Sequence, residues 1–135
     1  MIQTEYVPLE KDYELVSFDD DEYELTSRTI IGFRYRNDRH QVWTWKQMLQ
    51  QVCKLMYNEN PSSMAYLASK NYWLHETDSK DRSKIAESCY VHTSCSTNTK
   101  RSILTYLFKE MGIPSSILEF EIAPLAEKVI DTEDE

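Results

Sequence analysis

Between residues 29 and 57 the spacing of apolar positions changes period once. Ile31, Phe33 and Tyr35 alternate with Arg34 and Arg36, the period-two pattern of a half-buried strand. A turn at Asn37-Asp38 and a return strand over residues 39–43 make a hairpin. From Thr44 the apolar positions are Trp45, Met48, Leu49, Val52, Cys53 and Met56, one stripe of an amphipathic helix. Thr44 and Gln47 have the spacing of a capping box, with the Gln side chain expected to reach back to the N-cap amide.

The rest of the chain is read against this unit. Residues 13–25 mix acids with Tyr13, Leu15, Val16, Phe18, Tyr23 and Leu25. They fit either an extended arm docked on a partner or on the body of the protein, or a plain linker, with Asp19 to Glu22 in water. Pro61 disfavours helix at Asn60 and ends the first helix. A shorter helix is expected behind Ser62, carrying Met64, Tyr66, Leu67 and Lys70, then an extended Tyr72-Trp73-Leu74 and a surface loop over residues 76–84. Residues 85–91 read as a strand, although Ala86, Glu87 and Ser88 are poor strand formers. Ile103, Leu104, Leu107, Phe108 and Met111 form a second helical stripe, with Ser96 or Asn98 as N-cap and Gly112 at C′. Residues 117–122 alternate as a last, edge strand, and residues 123–135 are expected to form a short helix or a frayed tail. The pattern predicts an α+β domain over residues 29–122: an antiparallel sheet of about four strands with two principal helices on one face, in the order β-β-α-α-β-α-β. An acidic arm or linker (1–28) and an acidic tail (123–135) flank it.

Composition changes the picture mainly through charge. The formal net charge is −8, but residues 1–26 hold one base and nine acids, residues 27–101 twelve bases and six acids, and residues 102–135 two bases and eight acids. A basic body thus stands between acidic flanks. The length of 135 residues suits one domain. With no long apolar run and no basic, apolar leader, the expectation is a soluble cytoplasmic protein. Three cysteines, an odd number, fit a reducing compartment better than a disulfide framework.

Among candidate chemistries, Cys89, His92 and Cys95 have a ligand-like spacing. Zinc, however, takes four ligands, and a strand through residue 92 would turn Cys89 and His92 to opposite faces, so no metal is expected. Cys95 near a helix N-terminus with His92 resembles a nucleophile and base, yet two glycines in the whole chain leave no nucleophile elbow or phosphate-cradling loop. No cofactor is implied. The acids lie in exposed runs rather than in an apolar pocket that would separate their pKa values. The most suggestive group is Arg34, Tyr35, Arg36, Arg39, His40, Trp43 and Lys46, with Lys100 and Arg101 at the second helix. Interleaved cations and aromatics can track phosphates or stack on bases; a solvated sheet face whose Arg residues pair with the chain's own acids is the plainer reading.

Gly32-Phe33, Val42-Trp43-Thr44-Trp45, Leu49, Val52-Cys53, and Tyr90-Val91 running through Thr93, Ser96 and Asn98 into a helix resemble a small uncharacterised module found at the C-termini of bacterial restriction-type and phage-defence proteins. The similarity spans about residues 29–122; that module has an Asn-Leu-Ser-Ala-Asn-Ser run where this chain has residues 94–99, Ser-Cys-Ser-Thr-Asn-Thr. The resemblance implies an accessory or recognition role beside other machinery and supplies no catalytic residues. The expected function is a non-enzymatic module binding a partner protein or nucleic acid. Two alternatives remain: an acidic inhibitor or nucleic-acid mimic that occupies a partner's basic groove, and a small Cys-dependent hydrolase.

Overall fold

The computed structural model describes residues 13–124. The expected tail structure around Leu125, Val129 and Ile130, and the first twelve residues of the acidic arm, lie outside them. The chain runs β1 (Glu14–Ser17), β2 (Ile30–Tyr35), β3 (Asp38–Gln41), α1 (Trp45–Glu59), α2 (Pro61–Ser69), β4 (Leu74–His75), β5 (Arg82–Ala86), β6 (Cys89–His92), α3 (Thr97–Met111), a 3-10 turn (Ser115–Ile117) and β7 (Leu118–Ile122). The α+β class stands. The strands form two antiparallel sheets, a four-stranded one ordered β1-β7-β2-β3 and a three-stranded one ordered β4-β6-β5. α1 contacts β2 in the first and β5 in the second, so its apolar stripe of Met48, Leu49, Val52, Cys53 and Met56 is buried.

The hairpin turns one residue earlier than the sequence suggested. Arg36 and Asn37 have φ of 52° and 71° between the paired Tyr35 and Asp38, the left-handed pair that a two-residue turn needs to match strand twist. Asp38 therefore opens β3. A bulge between Ile30 and Gly32 in the β2–β7 pairing also changes which isoleucine is inside. Ile30 is buried at 1% exposure while Ile31 is half-buried, because the extra residue shifts the alternation by one.

Helix ends follow side-chain chemistry. Thr44 Oγ1 accepts the Gln47 N–H at 3.0 Å, but Gln47 Oε1 accepts the Trp43 N–H at 2.6 Å, one residue beyond the expected N-cap amide. Asn60 closes α1 and caps α2, its Oδ1 accepting the Ser63 N–H at 3.2 Å, with Pro61 in the first turn where its missing N–H costs nothing. α2 thus begins before Ser62. Ser96 caps α3 by accepting the Thr99 N–H at 3.1 Å, and Gly112 ends it at φ 67°.

Three further expectations are corrected. The strand expected at 85–91 is the β5–β6 hairpin, its turn made by Glu87 and Ser88, the latter at φ 58°. Their poor strand propensity reflects the turn they form, and β5 begins inside the stretch read as loop. β7 is an interior strand, paired with β1 on one side and β2 on the other. The segment before residue 29 belongs to the core: Val16, Phe18 and Leu25 are buried, and the Phe18 ring meets Phe108 edge-on at 5.4 Å and Phe120 at 6.0 Å. Each such side chain contributes about 1.5–3 kcal/mol by burial. The plain linker is thus ruled out for residues 13–25, while the arm docked on the body of the protein stands, as a strand followed by an acidic turn with residues 19–22 exposed.

Candidate functional site

The basic group divides between two faces of the four-stranded sheet. Arg34 and Arg39 are directly paired across β2 and β3, and Glu121 of β7 lies opposite Gly32. A Cβ at Gly32 would stand 2.6 Å from Glu121 Oε1, so the glycine makes the space that the carboxylate fills. Glu121 is fully buried and accepts from Arg34 Nε at 3.0 Å and Arg39 Nε at 2.8 Å. Arg34 also donates to the Tyr13 hydroxyl at 2.5 Å. Two guanidiniums thus share one desolvated carboxylate, each arginine side chain remaining 31% exposed.

Tyr35 is not on that face. It is 3% exposed, and its hydroxyl donates to Glu59 Oε1 at 3.0 Å; burial first, then this hydrogen bond, pushes its pKa up to about 12. Arg36 grips the same Glu59 with two hydrogen bonds of 2.7 and 3.1 Å, and this contact holds the Glu59 carboxyl below its ordinary pKa. His40 stacks on Phe33 at 4.9 Å. Trp43 is 66% exposed and Lys46 is exposed. Lys100 is buried, its Nζ donating to the Cys95 carbonyl at 2.5 Å. Arg101 turns onto the acidic turn, donating to the carbonyls of Phe18 (2.9 Å), Asp20 (2.5 Å) and Tyr23 (3.3 Å). The nine residues therefore do not form one surface: Tyr35 and Lys100 are interior, and Arg101 packs over Phe18, which lies on the covered side of the sheet.

The Cys/His group is also separated. Cys89 is buried, whereas His92 on the other face of β6 lies 3.4 Å from Asp81 and 5.6 Å from the Trp73 ring. Among the described residues no group of three or more His, Cys, Asp or Glu is placed to hold a metal ion. Burial raises the Cys95 pKa despite the opposing pull of Lys100, and it lifts that of Cys89 to about 11.

A different surface was missed. Tyr66 and Tyr72 are 62% and 54% exposed, and Tyr72 contacts Tyr106 of α3 at 5.1 Å and Trp73 at 5.4 Å. Lys70 lies over the Tyr66 ring at 5.1 Å, and Tyr106 has a raised pKa, from burial first and then the charge of Glu110, with Lys70, Tyr72 and Tyr66 also acting on it. What holds this group outward is the chain after α2. Asn71 sits at φ 60° and Trp73 at φ 64°, and the Leu74 N–H donates to the Tyr72 carbonyl at 2.7 Å. An i to i+2 hydrogen bond around a positive-φ residue is a γ-turn, a strained form; for an indole it costs about 1–3 kcal/mol. The Trp73 carbonyl is fixed in turn by the His92 N–H at 3.0 Å. The sequence did carry a signal, since Tyr66 and Tyr106 lie off the apolar stripes of their helices, Tyr66 exposed and Tyr106 half-buried.

No helix of the described residues is long and apolar enough to cross a membrane. No family model, no curated protein and no solved structure matches the chain. Function is therefore read from the chemistry of these surfaces.

Proposed function

We propose that the chain is a non-enzymatic recognition module that binds a partner protein through the surface of Tyr66, Tyr72, Trp73 and Tyr106. The observation that carries this reading is the γ-turn at Trp73, where backbone strain is sustained to hold Tyr72 in water against Tyr106. Strain of this kind collects at functional sites, and clustered exposed aromatics are the side chains that dominate protein–protein binding energy. Trp43, more exposed but without a ring contact among the described residues, is the isolated surface aromatic that needs no function. A protein partner is preferred to nucleic acid because Arg34, Arg36 and Arg39 already pair with Glu121 and Glu59. A setting beside restriction or phage-defence machinery is proposed with the resemblance.

The test is affinity capture from the native host with the full chain, after nuclease treatment, comparing wild type with Tyr72→Ser and Trp43→Ser. Tyr72→Ser should lose a protein that wild type and Trp43→Ser both retain, at unchanged melting temperature. Recovery of the same proteins by all three, or loss of every partner on nuclease treatment, would count against the proposal.

A further inference from the structure

We propose that the partner presents a proline-rich segment, in the polyproline II conformation, to the aromatic surface. This rests on the reading of Tyr66, Tyr72, Trp73 and Tyr106 as a recognition surface and names the chemistry that the surface takes. Its rings form a track: Tyr106 stands 5.1 Å from Tyr72, Tyr72 stands 5.4 Å from Trp73, and Trp73 stands 5.6 Å from His92. At these spacings the four rings reach at most about 16 Å, the length of about five residues at the roughly 3.1 Å rise of polyproline II. Neighbouring rings are inclined at 75°, 54° and 44°, so the track is a row of notches and not one flat plane. A pyrrolidine ring, rigid and apolar, packs into such a notch with little conformational entropy left to lose.

Hydrogen-bond donors and the balance of charge select the occupant. The Tyr13, Tyr23 and Tyr35 hydroxyls and the Trp45 indole N–H are hydrogen-bonded within the protein. The hydroxyls of Tyr66, Tyr72 and Tyr106 and the indole N–H of Trp73 have no hydrogen-bond partner among the described residues. Lys70, over the Tyr66 ring, adds a further donor. Glu110 and Lys70 act on Tyr106 with opposite sign, so the surface offers donors without a net charge that would draw an acidic or a basic ligand. Polyproline II is the complementary backbone, since its carbonyls make no internal hydrogen bonds and each proline lacks the N–H that would compete. An amphipathic helix spends its carbonyls on its own amides and would leave these donors unpaired. An added strand needs a free sheet edge, whereas Tyr66 belongs to α2 and Tyr106 to α3. The γ-turn at Trp73 fixes the middle of the track, so surface and ligand are both in their bound shapes before they meet, and little ordering cost remains.

The probe is octaproline, with an alternating Ala-Ser octapeptide as control, added to the isotope-labelled full chain and followed by amide and indole chemical shifts up to about 2 mM peptide, enough to detect a Kd near about 1 mM. Octaproline should shift the Trp73 indole N–H and the amides of Tyr66, Tyr72 and Tyr106, and the Ala-Ser peptide should shift none of them. Tyr72→Ser should weaken octaproline binding by at least about tenfold, and Tyr72→Phe, which keeps the ring and removes the donor, by about threefold to fivefold. Trp43→Ser should leave binding as it was. Should Tyr72→Ser lower the melting temperature, Tyr66→Ser, at a side chain 62% exposed on α2, should weaken binding by at least about fivefold. The proposal is overturned by the absence of shifts with octaproline, by equal shifts with the Ala-Ser peptide, by shifts centred on Trp43, or by wild-type affinity in the folded Tyr72 variants. If octaproline fails while Tyr72→Ser still loses a captured protein, the aromatic surface stands and the proline-rich ligand falls. Capture of the same proteins by Tyr72→Ser as by wild type is the separate result that removes the surface itself.

Discussion

Replacing Arg34 and Arg39 by Gln, singly and together, should give strongly non-additive losses of stability. The Glu121 side chain is fully buried while each arginine side chain is 31% exposed. Removing one arginine leaves the carboxylate with the other, so at Glu121 the loss is that of one charge-assisted hydrogen bond, discounted for water reaching the partner, about 1–1.5 kcal/mol, to which Arg34→Gln adds the smaller loss of its Tyr13 contact. Removing both leaves a desolvated carboxylate without a cation, about 3–5 kcal/mol, which at mid-range exceeds the sum of the singles by about 1.5 kcal/mol. Adding Glu121→Gln to the double variant should recover part of the loss, because the uncompensated charge goes with it. The assay is urea unfolding at neutral pH, followed by far-UV circular dichroism with m-values checked for constancy. Additivity within about 0.3 kcal/mol, or no recovery on adding Glu121→Gln, would refute the view that the outer face is organised around a buried carboxylate.

Val52→Asp should unfold the protein, since Val52 is 0% exposed on α1 and an unpaired buried carboxylate costs several kcal/mol, whereas Gln51→Asp on the exposed phase should melt as wild type. Tyr35 should titrate near its raised pKa of about 12. As the folded value is raised from an ordinary value of 10.0, its contribution to stability is complete below pH 10 and is lost as pH rises towards 12, a window that Tyr35→Phe should remove from the stability profile. In low-salt titrations with single- and double-stranded oligonucleotides the full chain should show no binding; a log K against log salt slope near −3 would restore the basic face as a phosphate surface.

The parts of the fold that the sequence disclosed were those written in local chemistry. The stripe of α1, the Thr44 and Ser96 caps and Gly112 at the end of α3 depend on neighbours a few residues away, and periodicity reports them directly. What it could not report was pairing at a distance. Glu121 looked like an outward residue of an edge strand, because nothing near it in sequence says that Arg34 and Arg39 cover it or that Gly32 clears its space. The acidic run at residues 19–22 hid the core residues on either side of it, Val16, Phe18 and Leu25, although the alternation of Val16 and Phe18 was there to read. Glu87 and Ser88 were recognised as poor strand formers without being recognised as a turn. The candidate site suffered most, since a cluster of cations in sequence says nothing about which acids they face once folded. The aromatic surface was overlooked because its tyrosines come from two helices and a turn whose backbone sign is invisible in the residue names.

The claim that recognition runs through the aromatic surface is tested most directly by photocrosslinking in the native host. Photoreactive p-benzoylphenylalanine is placed at Tyr66, on that surface, and in a second chain at Lys46, among the cations first singled out. The account predicts a discrete adduct with one protein from position 66 and none from position 46. An adduct from position 46 alone, or a nucleic-acid adduct from either, would contradict it.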